Sequence, residues 1–169
     1  ILKKMRCSMI NDVLNLMISY NSPDIRRINH AIKVFSFALN IAENENCDKT
    51  IKEIIAYSSI LHDIGIHKAE EKYNSSQGKF QEIEGPSVAK ELLKELNIPQ
   101  NIKDRVLYLI GHHHSYNKID GLDFQILVEA DFLVNIFEDS IERKSIENIR
   151  NNIFKTNSGI SLLNKLYLY

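Results

Sequence analysis

Proline and glycine are scarce in this sequence, three and six residues among 169. With so few breakers, and apolar residues recurring at spacings of three and four, no stretch reads as a β-hairpin and the chain reads as helix after helix. Cysteine is rarer still. Cys7 and Cys47 stand apart, without CxxC or other zinc-ribbon spacing, which argues against a disulfide scaffold and for a reducing, cytoplasmic setting. Neither sign of charge prevails: 21 basic and 22 acidic residues are interleaved, net −1, so there is no basic field on which nucleic acid could wrap. Long apolar runs are missing too. None approaches the ~20 residues of a membrane span, and Ile1-Leu2-Lys3-Lys4 leads into polar Arg6, Asn11 and Asp12 rather than into a signal-peptide core. Because the chain opens on Ile and not Met, its true start is expected upstream.

What is present is a hydrophobic share of 44%, enough for an ordinary core in a single domain spanning 1–169. Met9, Val13, Leu16 and Met17 give one apolar side to an opening helix from about Met5 to Tyr20. Ser22-Pro23-Asp24 has the chemistry of a helix start, with Ser22 as hydroxyl cap and Pro23 at the first position, for a helix running to about Glu45. Its stripes, Ile25-Ile28-Ile32-Phe35-Leu39 and Val34-Phe37-Ile41, leave little circumference for water. His30 heads the second stripe, and reads either as a satisfied core histidine or as a ligand.

Asp48 caps a helix from about Thr50 to Asp63, with Ile51, Ile54, Ile55 and Ser58 inward. It ends in Leu61-His62-Asp63-Ile64-Gly65, the most specific stretch of the chain. At about 3.6 residues per turn His62 follows Ile51 and Ile55 inward, while Asp63 stacks over Ala56 and Ser59. Small residues beneath both side chains leave space, and a buried carboxylate becomes reasonable where a cation shares it. From Ile64 to Glu84 the periodicity fails, which predicts a polar, lid-like loop with room for a short helix, or a solvated excursion. Gly85-Pro86 is then expected to open a helix through Leu96, and Asn97-Ile98-Pro99 to close it and begin the next.

That next helix ends in Gly111-His112-His113-His114. His113 continues the stripe of Ile102, Val106 and Leu109, so it is the first inward candidate; His114 is second and His112 third, and a surface cluster is the other reading. Phe124 to Phe137 is the most apolar helix, yet it carries Asp131 two turns after Phe124. A carboxylate so placed needs a cation or a buried arginine such as Arg27. Ile141 to Tyr169 reads as two shorter helices whose Tyr167 and Tyr169 could pack on the core or on a neighbouring subunit, which keeps a homo-oligomer open.

Imidazole and carboxylate donors such as His30, His62, Asp63 and Asp131 suit a catalytic divalent metal better than a closed structural zinc site. Their order resembles that of the HD-domain metal-dependent phosphohydrolase superfamily, over about Ser22 to Asn135. The resemblance is carried by Arg27-Ile28-Asn29-His30, Leu61-His62-Asp63-Ile64-Gly65, Gly111-His112-His113-His114 and Glu129-Ala130-Asp131. It implies an all-α fold and a metal held by His30, His62, Asp63 and Asp131, the ion being Mn, Fe, Mg, Ni, Co or Zn. It further implies hydrolysis of a phosphoester or phosphoanhydride in a small phosphorylated substrate, often a nucleotide, by metal-activated water.

Some branches hold a second ion through the aspartate of the pair and two added histidines. His113 fits one, 18 residues before Asp131; Glu84 stands where the other is commonly histidine. Glu84 reads either as an altered ligand or as a group stabilising a helix N-terminus. Candidate catalytic residues are Asp63, Arg27, placed one turn before His30 to neutralise a phosphate, and Lys68, whose other reading is an exposed loop lysine. The rival from another class is a non-catalytic nucleotide- or metal-sensing helical module, and a purely structural bundle is the third.

Overall fold

Backbone hydrogen bonding is helical throughout, and among the described residues there is no strand. The computed structural model describes the backbone of residues 2–169 and the side chains of residues 9–169; the side chain of Cys7 and those of Ile1-Leu2-Lys3-Lys4 lie outside the described residues. The order is α1 (Leu2–Asn21), α2 (Ile25–Asn44), α3 (Lys49–Leu61), α4 (Ile66–Tyr73), α5 (Gly78–Leu93) and α6 (Gln100–Ile110). A 3-10 turn (Tyr116–Lys118) precedes α7 (Leu122–Glu138), α8 (Arg143–Asn152) and α9 (Asn157–Tyr167). No helix among the described residues is long and apolar enough to cross a membrane.

Helix α3 is the hub, packed against α1, α2, α6 and α7. Asp48 caps it as expected, accepting from Ile51 N at 2.9 Å, and every residue from Ile54 to Leu61 is buried. Its buried hydroxyls return to the helix's own carbonyls, Ser58 to Ile55 O and Ser59 to Ala56 O, so neither competes for the space above them.

Helix α2 begins later than expected: Asp24, not Ser22, is the cap, accepting from Arg27 N at 3.1 Å, and Pro23 lies outside the helix. Its buried face is also narrower. His30, Ala31, Val34, Ala38, Ile41 and Ala42 are buried, whereas Ile25 and Ile32 are exposed. The stripe reading counted only large side chains. Alanines, by presenting almost nothing, let α2 lie close on α3 and α7, and that contact chose the face.

The stretch 64–84 is not an irregular loop. It holds α4 and the first turns of α5, and Gly85-Pro86 sits inside α5 rather than at its start. Helix α4 buries only Ile66 and Ala69, too short an apolar pattern to register as a period, and it stops at Asn74 in the left-handed conformation (φ 49°). Pro86 removes one helical donor, yet the helix continues through it, and Gly85 beside it lets neighbouring elements close in. A Cβ on Gly85 would lie 2.7 Å from Ile110 Cγ2, and a Cβ on Gly65 would lie 2.6 Å from Gly85 N. The turn after His62-Asp63 is thereby stacked backbone to backbone on α5, and the Ile110 side chain of α6 closes on the same glycine.

Beyond α7 the chain is latched back by Glu129. This fully buried carboxylate accepts from Gln125 Nε2 (2.7 Å), Lys155 N (2.6 Å), Thr156 N (2.9 Å) and the Thr156 hydroxyl. Thr156 in turn caps α9.

Candidate metal centre

Four helix-borne segments meet where α3 ends. His62 occupies the C-terminal cap of α3 and is fully buried; its Nδ1 lies 2.9 Å from Ser59 O. A carbonyl only accepts, so Nδ1 carries the hydrogen and the Nε2 lone pair points into the cluster. His30 on α2 is oriented the same way by Glu138 Oε2, 3.0 Å from its Nδ1, and Glu138 is itself paired with Lys33. His113 Nδ1 lies 2.8 Å from Ile110 O, which again leaves Nε2 for the cluster. Such anchoring of the distal nitrogen is what a metal-binding imidazole requires.

The free atoms converge. His30 Nε2 stands 3.2 Å from His62 Nε2, 3.2 Å from Asp131 Oδ1 and 3.5 Å from Asp63 Oδ2. His62 Nε2 is 3.6 Å from both carboxylates. On the other side Asp63 Oδ1 faces His113 Nε2 at 3.4 Å, a buried nitrogen with no hydrogen-bond partner among the described residues. Asp131 Oδ1 also accepts from Asn135 Nδ2 at 2.9 Å. The result is a cluster that calls for positive charge, brought by a bound cation or, without one, by protons on the imidazoles. Donor atoms of His30, His62 and Asp63 lie within 4.8 Å of one another, as do those of Asp63, His113 and His114. Imidazole and carboxylate in this ratio, with no thiolate, fit a divalent cation, and the one described cysteine, Cys47, is buried as a free thiol apart from these groups.

The electrostatics agree. Burial alone would pull the His30 imidazole down, but Asp131, Asp63 and Glu138 override it and push it up to about 9. His62 is raised against the same burial by Asp63 and Asp131. Burial would raise both aspartates, yet His62 and His113 hold Asp63, and His30 and His62 hold Asp131, well below the usual carboxylate range. His114, by contrast, is lowered to about 4 by burial and by His113.

Of the residues expected at the site, His30, His62, Asp63, Asp131 and His113 are brought together. Glu84 is placed otherwise: its carboxylate takes Lys72 Nζ and Tyr73 OH, each at 2.8 Å, both from α4. Lys68 is exposed on α4. Arg27 borders a cavity of about 490 Å³ that also touches Arg26, His30, Asp63 and Gln81. Its guanidinium is held by Glu70 Oε1 at 2.6 Å, His67 Nδ1 at 2.9 Å and Asp24 Oδ2 at 3.1 Å, so Asp131 pairs with histidines and not with Arg27.

Sequence reasoning missed several supporting residues. Asn135 and Glu138 lie one and two turns beyond Asp131 on the same face of α7, a spacing that was readable. His114, ranked second among the three histidines, joins the group with its Nε2 3.1 Å from Gln81 Oε1 and its backbone N 3.1 Å from Glu82 Oε1. No sequence signal pointed to Gln81, since α5 itself was not expected there. His112 stacks on Tyr108, with its Nδ1 2.7 Å from Tyr108 O, apart from both groups.

No curated protein and no solved structure matches the chain. A family model described as HD domain matches residues 27–155. That span is most of the sequence and includes every segment of the cluster from His30 to Asp131, and the chain belongs to the HD-domain superfamily of metal-dependent phosphohydrolases.

Proposed function

We propose that this protein hydrolyses a phosphoester or phosphoanhydride bond in a small phosphorylated molecule, with nucleotides as the substrate class. The observation that carries the reading is the convergence of His30 Nε2, His62 Nε2, Asp63 and Asp131, with His30 and Asp63 lining a cavity that Arg26 and Arg27 also border. A divalent ion in this cluster supplies Lewis acidity, acidifying water and offsetting charge on phosphate oxygens. The chain's own residues do the rest. Glu138 and Ser59 O keep His30 and His62 in the tautomer that offers Nε2, and Asn135 steadies Asp131.

Asp63 offers Oδ2 to the His30–His62 side and Oδ1 to His113, so its two oxygens would let it help hold an ion on either side. His114 and not Glu84 accompanies His113 there, so any second ion rests on the adjacent histidines. Arg27 exchanges its carboxylate partners for a substrate phosphate, whose greater charge favours the swap.

The test is purification without chelator, metal analysis, and phosphate release from a panel of phosphomonoesters, nucleotides and cyclic dinucleotides beside His62→Ala and Asp63→Ala. Metal-free wild type with turnover no higher than the variants refutes the reading.

A further inference from the structure

The cavity at the metal centre is a poor seat for a nucleobase. Its lining is charged, amide-bearing or, at Ser76, hydroxylic, with Ile66 its one aliphatic side chain and His30, turned toward the cluster, its one ring. On the far side of Arg27 lies a second, shallower pocket of about 510 Å³ with the opposite character. Tyr20 and His67 stand edge to face in its wall, ring centroids 6.1 Å apart, and Pro23 adds an apolar face. Asn21 also lines it. That residue is only 5% exposed, and its side-chain amide, which makes no hydrogen bond to another described residue, meets solvent and so leaves a donor and an acceptor open for a ligand in the pocket it lines.

We propose that this pocket is a nucleobase subsite, in which Tyr20 stacks on the base and the Asn21 amide pairs with its edge. The proposal rests on the nucleotide reading of the metal centre and says how a nucleotide would be recognised. Asp24 borders both pockets, and Arg27, which lines the first, is hydrogen-bonded to His67, which lines the second. From Asp24 to His30 is about 9 Å along α2, of the order of the span from phosphate to base in a nucleoside monophosphate. A ligand with its phosphate at the cluster therefore reaches the pocket across Arg27, its sugar hydroxyls passing the Asp24 carboxylate. An amide paired to a base edge and a ring beneath the base need no apolar enclosure, which suits a shallow pocket.

The test compares adenosine 5′-monophosphate with ribose 5-phosphate on the full chain, by saturation-transfer NMR and competition titration in the presence of chelator. The nucleotide is expected to bind roughly 5- to 150-fold more tightly, the range that stacking one base on an aromatic ring provides. Its base protons should be saturated, and Tyr20→Ala should bring the ratio close to one. Asn21→Ala, which removes no packing ring, is the second variant, expected to lower the ratio with an unchanged melting curve. A wild-type ratio near one, unsaturated base protons, or a ratio that both variants preserve overturns the subsite. Phosphate release measured separately with metal reports on the hydrolase reading: hydrolysis of both compounds at equal rates defeats the subsite alone, and base binding without turnover defeats the hydrolase alone.

Discussion

Replacing Glu129 by alanine should cost more stability than any single change at the metal cluster. The side chain receives two backbone N–H groups, one hydroxyl and one amide, and three of these donors come from Thr156 or its neighbour Lys155 at the entry to α9. Alanine leaves the Thr156 N–H buried without an acceptor and the Lys155 N–H partly so, at about 1–3 kcal/mol each. Against this, burial already pushes the Glu129 carboxyl up, so part of the loss is offset by no longer holding a charge there. A net loss of about 2–4 kcal/mol follows. Glutamine is the informative control: its carbonyl can take the three donors on Oε1 and its amide can give to the Thr156 oxygen, for a cost of about 1 kcal/mol. Urea denaturation followed by circular dichroism reads both, with an unchanged slope confirming that stability and not the unfolded state has moved. An alanine variant within about 1 kcal/mol of wild type, or a glutamine variant as weak as alanine, refutes the latch.

Divalent metal at about one hundred times its dissociation constant should stabilise the wild type by about 2.7 kcal/mol, and His62→Ala should abolish the gain in a thermal shift assay. Glu84→Gln should leave metal content unchanged, whereas His113→Ala should lower it, as inductively coupled plasma analysis would show. Arg27→Ala should lower kcat/KM for a phosphoester by about 10- to 100-fold, mostly through KM, as expected for a lost charged hydrogen bond; an effect confined to kcat argues against phosphate binding. With metal removed, His30 is raised from 6.5 to about 9, so its stabilising contribution is complete below pH 6.5 and is lost as pH rises through about 9. Urea midpoints measured with chelator should fall across that window, and a flat profile contradicts the charge pairing.

The cluster was legible because its ligands obey helical phase on strongly patterned elements. His62 follows Ile55 inward, and Asp131 stands out against the apolar face of α7. Less legible was everything set by one element leaning on another. Helix α4 has too few buried residues to show a period, and α2 chose its alanine face for closeness, a property that side-chain size alone hides. The placement of Glu84 depends on Lys72 and Tyr73, which reach it from a short helix for which the sequence left room without giving its bounds. Gln81 went unnoticed for the same reason, while Asn135 and Glu138 were one and two turns from a residue already singled out.

The contact of Gly65 with Gly85 sets a mechanical tolerance for the whole centre. With a Cβ at Gly65 only 2.6 Å from Gly85 N and 2.8 Å from Gln81 O, the clearance between the Asp63 turn and α5 is smaller than one methyl group. A side chain there would act as a shim. Pressing on the α5 backbone, it would lift the aspartate turn away from that helix, widening the interval between the two halves of the cluster. Residues with no donor atom of their own thus calibrate the spacing on which any shared cation would depend.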